Sequence, residues 1–470
     1  MKEFAPDPAH LEQHISDNVP LAPRTAFRVV GADDRAEAET VVGLAATQVA
    51  QAPASTEVPG HLLNPPGLVG AIARWINETA LYPQPVLALG AAITVVGAVA
   101  GRKYAGPTKS GTHLYTLAIA PTGAGKNHAS KMAKRLMRKA DMADLIGPGQ
   151  FMSEPAVYQQ MAKTPQVICF MDEFGSYLQK INSPKGSGYE KAVTGVLRIL
   201  WGASFDVVDP PRWADSKSRD ELKPISSPSL AIYGMSVPDD FYAALNSVDI
   251  ANGFLNRFLV LPTDAKPDEV EPERDEDLIP DPLVGGLQKI GATACDPRRS
   301  RITGDIHVAE ERITWAPDGK AQAIYVELRR SCQDRGDDAK LLSRTPEMAV
   351  RLATILAIGR GRPVIDAQDM RWGADLALWS GERMIADTNA YMVESEHQGR
   401  LKEVLRHIQA AKRKTISRTD LNRKVKHKFT GRQLAEILSD LADSETITIE
   451  RVPGSETGAR RPTDIIRLNG

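Results

Sequence analysis

The sequence predicts an α/β fold built on a parallel sheet, with flanking helical regions and a small winged-helix module at the C-terminus. Three observations carry that prediction. Short, largely apolar runs at 114–120, 167–171, 229–235 and 258–261 alternate with helical patterns, and buried strands joined through helices belong to parallel sheets covered on both faces. A glycine-rich segment follows the first run and opens a helix. The last 70 residues reduce to three short helical patterns and two strand-like runs, the outline of three helices and a wing.

Taken in order, residues 1–60 carry scattered prolines and read as an arm, partly disordered. Residues 61–112 form an N-terminal helical region with apolar patterns at 68–75 and 86–100. Residues 113–263 hold the α/β core. Its first helix sets Ala129, Met132, Ala133, Leu136, Met137 and Ala140 on one face and Lys131, Lys134, Arg135 and Arg138 opposite. A further helix is expected near 190–201. Residues 264–282 break the pattern, with nine acidic residues against Lys266 and Arg274 between Asp264 and Asp281, and read as a solvated linker. Helical spacing at 321–332, 345–360 and 367–393 predicts a helical domain over 283–396. The winged-helix module occupies 397–470, with helices at 401–411, 418–424 and 430–442 and strands at 447–452 and 464–468.

Composition narrows the function classes. Hydrophobic residues at 42% and charged residues at 25% exclude a mostly disordered chain. Lys plus Arg total 58 against 59 Asp plus Glu, which excludes a uniformly basic nucleic-acid coat while leaving local patches open. Cys169, Cys295 and Cys332 lie far apart and form no C-x-x-C pair, so neither a disulfide framework nor a structural zinc is expected. The most apolar run, 86–101, has 16 residues and ends in Arg102-Lys103, short of the roughly 20 a membrane span needs. No membrane partner is expected.

The chemistry is concentrated in the core. Pro121-Thr122-Gly123-Ala124-Gly125-Lys126-Asn127 stands between a strand and a helix, where backbone N–H groups and the helix N-terminus attract phosphates and Lys126 reaches the β- and γ-phosphates. ATP is the expected ligand, with Mg²⁺. Ala120 stands where a glycine is usual, and Asn127 replaces the hydroxyl residue that ligates Mg²⁺, a role its amide oxygen can take. The run 167–171 ends in Asp172-Glu173. Adjacent strand ends would bring Asp172 beside the loop to hold Mg²⁺ through its water shell, with Glu173 as general base toward water. Ser236 ends the third run, either contacting the terminal phosphate or capping the helix that begins at Pro238. Arg257 sits in an apolar context, either salt-bridged or presented to a neighbouring subunit's nucleotide.

From Arg400 to Arg432 there are 12 Lys or Arg against Glu403 and Asp420, a basic concentration that points to nucleic acid. Its candidate contacts are Lys412, Arg413, Lys414, Arg423, Lys424, Lys426 and Lys428.

The run from Pro65 to about Arg360 resembles the helicase-like ATPase domain of phage, prophage and plasmid primase–helicase proteins, and more distantly the superfamily-3 helicases of the AAA+ class. The resemblance rests on Pro66-Gly67-Leu68-Val69 with Ala73-x-Trp75-Ile76, the 121–127 loop, Asp172-Glu173-Phe174-Gly175, Gly253-Phe254-Leu255-x-Arg257-Phe258 and Arg351-Leu352-Ala353. It implies an AAA+-like P-loop NTPase core in a homo-oligomeric ring, a hexamer in that class, which hydrolyses ATP and moves on single-stranded or forked DNA in the cytoplasm of a bacterial host. A separate primase is an implied partner. It also implies Arg351 as a second sensor on the nucleotide. The segment 207–223 becomes a DNA-gripping hairpin through Lys217, Arg219 and Lys223, with a plain surface loop as the alternative. A non-translocating ATPase acting as initiator or helicase loader is the rival expectation.

Overall fold

Leu68–Glu78 (α1) is helical because Val69, Ile72, Ala73, Trp75 and Ile76 recur on one face and are buried together. Pro85 opens α2 (Pro85–Ala100), where its fixed φ and missing N–H suit a first turn. This helix is buried nearly throughout, as its all-round apolar surface requires. No helix among the described residues is long and apolar enough to cross a membrane. The computed structural model describes residues 57–182, 188, 192–211, 222–245, 253–293, 311–453 and 462–469. The expected arm falls almost wholly outside them, as does Cys295.

The core alternates strand and helix: β1 (Tyr115–Ile119), α3 (Lys126–Lys139), α4 (Glu154–Lys163), β2 (Gln166–Met171), α5 (Phe174–Asn182), α6 (Val193–Gly202), β3 (Ser229–Ser236), α7 (Pro238–Ala244) and β4 (Phe258–Pro262). All four strands are parallel and every residue in them is buried, which accounts for their continuous apolar runs. Their order is β2-β3-β1-β4. The expectation that the strand ending at Asp172 lies beside the glycine-loop strand is therefore corrected, because β3 is inserted between them. An apolar run reports that a strand is buried on both faces, and nothing in it specifies the neighbour. In register, Ile119 pairs with Ser236 on one side and Pro262 on the other, while Met171 pairs with Gly234.

The longer helices that follow among the described residues are α8 (Asp281–Gly291), α9 (Lys320–Gln333), α10 (Thr345–Gly359) and α11 (Ala367–Gln409). One continuous hydrophobic core runs from Val58 to Ile385. It joins the segments that the sequence divides at 112, 263 and 282, since α2 and α10 are too apolar to stand apart from the sheet. The two helical patterns at 367–393 and 401–411 fuse into the single helix α11, so the expected boundary at 396 falls inside a helix.

A second, separate core gathers Val404, Ile408, Leu421, Val425, Leu434, Ile437, Leu438, Leu441, Ile447 and Ile466. The end of α11 packs there with α12 (Arg418–Val425) and α13 (Gly431–Asp443). The antiparallel sheet is β5 (Thr415–Ser417), β6 (Ile447–Val452) and β7 (Thr463–Leu468), in the order β5-β7-β6. Ser417 caps α12 by accepting from the Asp420 N–H at 3.1 Å. Thr430 and Gln433 form a reciprocal capping box on α13. The short β5 is the one strand of this sheet that the sequence pattern does not reveal.

Candidate functional site

The C-terminal edge of the parallel sheet collects the residues following three neighbouring strands. After β1 the chain enters the loop 121–125, where Gly123 and Gly125 adopt φ of +81° and +76°, a conformation that costs glycine little. A side chain at Gly125 would also meet the Tyr82 carbonyl at 2.9 Å. Ala124 is buried, Thr122 and Gly123 are exposed, and α3 begins directly at Lys126. Backbone donors and the first turn of α3 thus face solvent space, the arrangement that favours an anion. Lys126 is partly buried, and Asn127 is exposed in the same turn.

β2 ends two positions away, about 10 Å across the sheet at normal strand spacing. Asp172 and Glu173 are both exposed there, and Asp172 accepts from the Glu173 N–H at 2.9 Å. Glu173 has a φ of +50°, an unfavourable region for a non-glycine residue and one found at functional turns. Between these ends stands Ser236. Its Oγ is buried, accepts from the Gly175 N–H at 3.2 Å and donates to the Val237 carbonyl. Ser236 does not cap α7, whose N-cap is Val237. It ties the end of β3 to the turn carrying Glu173 instead. A Cβ on Gly175 would lie 2.6 Å from the Ser236 Oγ and from the α7 backbone at Asp240 and Phe241, so glycine is what allows this close approach.

Sequence reasoning missed three contributors. Lys134 does not sit on a free solvated face: its ammonium lies 5.2 Å from the centroid of the Phe170 ring. Burial and Arg138 lower its pKa, while the Asp172 carboxylate pulls it up. The turn Thr79–Tyr82 forms one wall of a cleft of about 960 Å³ with Thr122, Gly123, Lys126 and Asn127. The acidic segment also lines it, through Glu271, Asp275 and Glu276. That segment is not a free linker. Its backbone is held by Val270 N–H to the Leu81 carbonyl at 2.9 Å and Arg274 N–H to the Glu78 carbonyl at 3.1 Å. Its carboxylates engage Tyr82 through Glu269, Lys131 and Arg135 through Glu276, and Arg135 again through Asp277. The only sequence signal was charge complementarity between this stretch and the cations of α3.

The other candidates lie at the opposite edge of the sheet. Arg257 immediately precedes β4, and its guanidinium donates to Gly253 and to the Asn256 Oδ1 at 3.2 Å. Its Nε is buried with no partner among the described residues. Burial, Arg344 and Arg198 push its pKa down to about 10. Arg351 is completely buried and donates to the carbonyls of His113 and Trp201 and to Glu347, each at 2.8 Å. Its guanidinium lies 4.0 Å from the centroid of a Trp201 ring. His113 precedes the start of β1, so Arg351 is removed from the cleft lined by the glycine loop and the second-sensor expectation is corrected. Burial on α10 and the shared core decide this position, which an Arg-Leu-Ala string does not encode.

Within the expected 207–223 hairpin, Val207–Val208 pairs antiparallel with Ile225–Ser226 just beyond it, and residues 212–221 lie outside the described residues. Lys223 is exposed beside it, while Lys217 and Arg219 lie outside the described residues. In the C-terminal module Arg413, Lys414, Arg423, Lys424, Lys426 and Lys428 are all exposed, and the Lys412 side chain is outside the described residues. Comparison of the chain with protein-family models and with curated proteins finds no match.

Proposed function

We propose that this chain is an ATP-dependent DNA helicase or translocase of a phage or other mobile element, acting as a ring in replication, with an AAA+-like P-loop core and a C-terminal winged helix. The observation that carries this reading is the convergence on one sheet edge of a glycine loop at a helix N-terminus, a cleft lined by that loop, and the Asp172-Glu173 pair, which stands outside the cleft lining. The cleft volume suits a nucleotide. Lys126 and the loop N–H groups would bind the phosphates, and Glu173 would take a proton from the attacking water. Ser236 acts as a positioning residue for the Glu173 turn. The donor set fits Mg²⁺, which takes few protein ligands alongside substrate phosphates. Asn127 and Asp172 would hold it, and its charge would offset that developing on the transferred phosphoryl group. Arg257 lies at the edge of the sheet away from the cleft, so its expected role at a nucleotide would be toward a second copy in a ring. The tail supplies DNA affinity, and a separate primase would start synthesis.

Asn127, in place of a hydroxyl ligand, favours a second reading: a slow, non-translocating switch that loads or initiates. ATP hydrolysis by the purified protein tests the site. Lys126→Ala should lose nucleotide binding, and Glu173→Gln should bind ATP but not turn it over. Full turnover by the Glu173 variant would reject the assignment. Strand separation on a forked duplex distinguishes the helicase from the switch.

A further inference from the structure

The C-terminal module carries two consecutive helices whose solvent faces have opposite charge. On α12 and the turn after it, Arg418, Arg423, Lys424, Lys426 and Lys428 are exposed, with Asp420 as the one acid from Arg418 to Lys428. Arg418 pairs with Asp464, Arg423 with Asp420 and Lys428 with Glu403. Lys424 and Lys426 have no ion pair among the described residues. α13 is different. Its apolar face, Leu434, Ile437, Leu438 and Leu441, is buried in the module's core. Its exposed face carries Glu436, Asp440 and Asp443 against Arg432, which is itself paired with Glu436 at 3.2 Å. Those three acids are spaced four and three apart, so they form one stripe about 10 Å long.

In a helix-turn-helix pair the second helix normally enters the major groove and reads base edges. Here that helix, whose own sequence holds Arg432 as its one cation, would bring three carboxylates between two phosphate backbones. We propose that this module binds duplex DNA through α12 and the following turn, gripping phosphates without reading sequence, and that α13 stays outside the groove. The inference rests on the DNA-binding reading above and adds which surface binds and what it recognises. Phosphate contacts position a protein without sequence information, so the expected behaviour is strong salt dependence with no base preference.

The test uses the full chain without nucleotide, and fluorescence anisotropy on 30-base-pair duplexes of several fixed sequences and one random pool, across a salt series. Wild type should bind all duplexes within about threefold of one another. Lys424→Gln with Lys426→Gln should weaken binding to every duplex alike and lower the salt slope by about two, one for each lysine–phosphate interaction removed. Lys424→Glu should weaken it more than Lys424→Gln does. Arg432→Ala should stay within about twofold of wild type, and Glu436→Gln with Asp440→Asn should bind equally or more tightly. These residues are exposed, and an unchanged thermal midpoint confirms that each variant folds. The inference is overturned if the lysine variants bind like wild type, or if Arg432→Ala loses affinity selectively for one duplex. No binding of any duplex by wild type would instead overturn the DNA-binding reading itself, and this inference with it.

Discussion

Arg351→Met separates a buried structural cation from a nucleotide sensor. Arg351 donates three bonds of 2.8 Å, to the His113 and Trp201 carbonyls and to Glu347, with a longer one of 3.3 Å to the Ser204 Oγ. Each hydrogen bond from a charged donor contributes about 1.5–3 kcal/mol. Relief of burying the guanidinium offsets part of that sum, and the Met side chain refills much of the volume. The Glu347 carboxylate, with 27% of its side chain exposed, can recover water, whereas the buried His113 carbonyl would lose this donor and the Trp201 carbonyl would keep the His113 ring at 3.1 Å. A net loss of about 3–5 kcal/mol is expected, the range for removing one partner of a buried charge. With a urea slope of about 3 kcal/mol/M, the unfolding midpoint falls by roughly 1–1.7 M. Tryptophan fluorescence is the suitable readout, because Trp201 lies against the guanidinium. The KM for ATP should not move. An unchanged midpoint together with a tenfold higher KM would refute the structural role.

Four other outcomes rest on the same geometry. His113 is fully buried, and burial followed by the neighbouring Arg351 pushes its pKa down to about 3. The unfolded chain therefore takes up the proton first, so its contribution is complete above about pH 6.5 and falls by about 1.4 kcal/mol per unit down to about pH 3. Urea midpoints against pH should show that slope, and a His113→Gln variant should flatten it. Gly175→Ala should cost about 3 kcal/mol by overpacking against the α7 backbone, lowering the thermal midpoint and turnover together; a neutral result would contradict the close approach. Glu276→Gln with Asp277→Asn frees Lys131 and Arg135 from the acidic wall, and the KM for ATP should fall about two- to fivefold, the scale of exposed ion pairs. A rise in KM would show that this wall holds the nucleotide rather than competing with it. Finally, Arg257→Ala and Lys126→Ala chains, each inactive alone, should recover part of the ATPase activity when mixed. No recovery in confirmed mixed assemblies would return the site to a single subunit.

Local elements were legible in the residues themselves, because burial imprints directly on composition. The four apolar runs became the four buried strands within a residue or two, and the glycines of the 121–125 loop adopted the left-handed backbone that their residue type permits. The helical patterns at 418–424 and 430–442 likewise became α12 and α13, which the structure shows capped by Ser417 and Thr430. Adjacency came from the folded chain alone. The place of β3 between β1 and β2 depends on how helices cross the sheet, which no strand records in its own residues. Arg351 looked like a neighbour of its own chain's nucleotide, but its burial against His113 and Trp201 sets it at the far edge of the sheet. The acidic segment read as solvated because its charge is uniform. Its order comes from cations on α3 and from the backbone of residues 78–81, and a linear pattern cannot show a partner brought in from more than a hundred residues away.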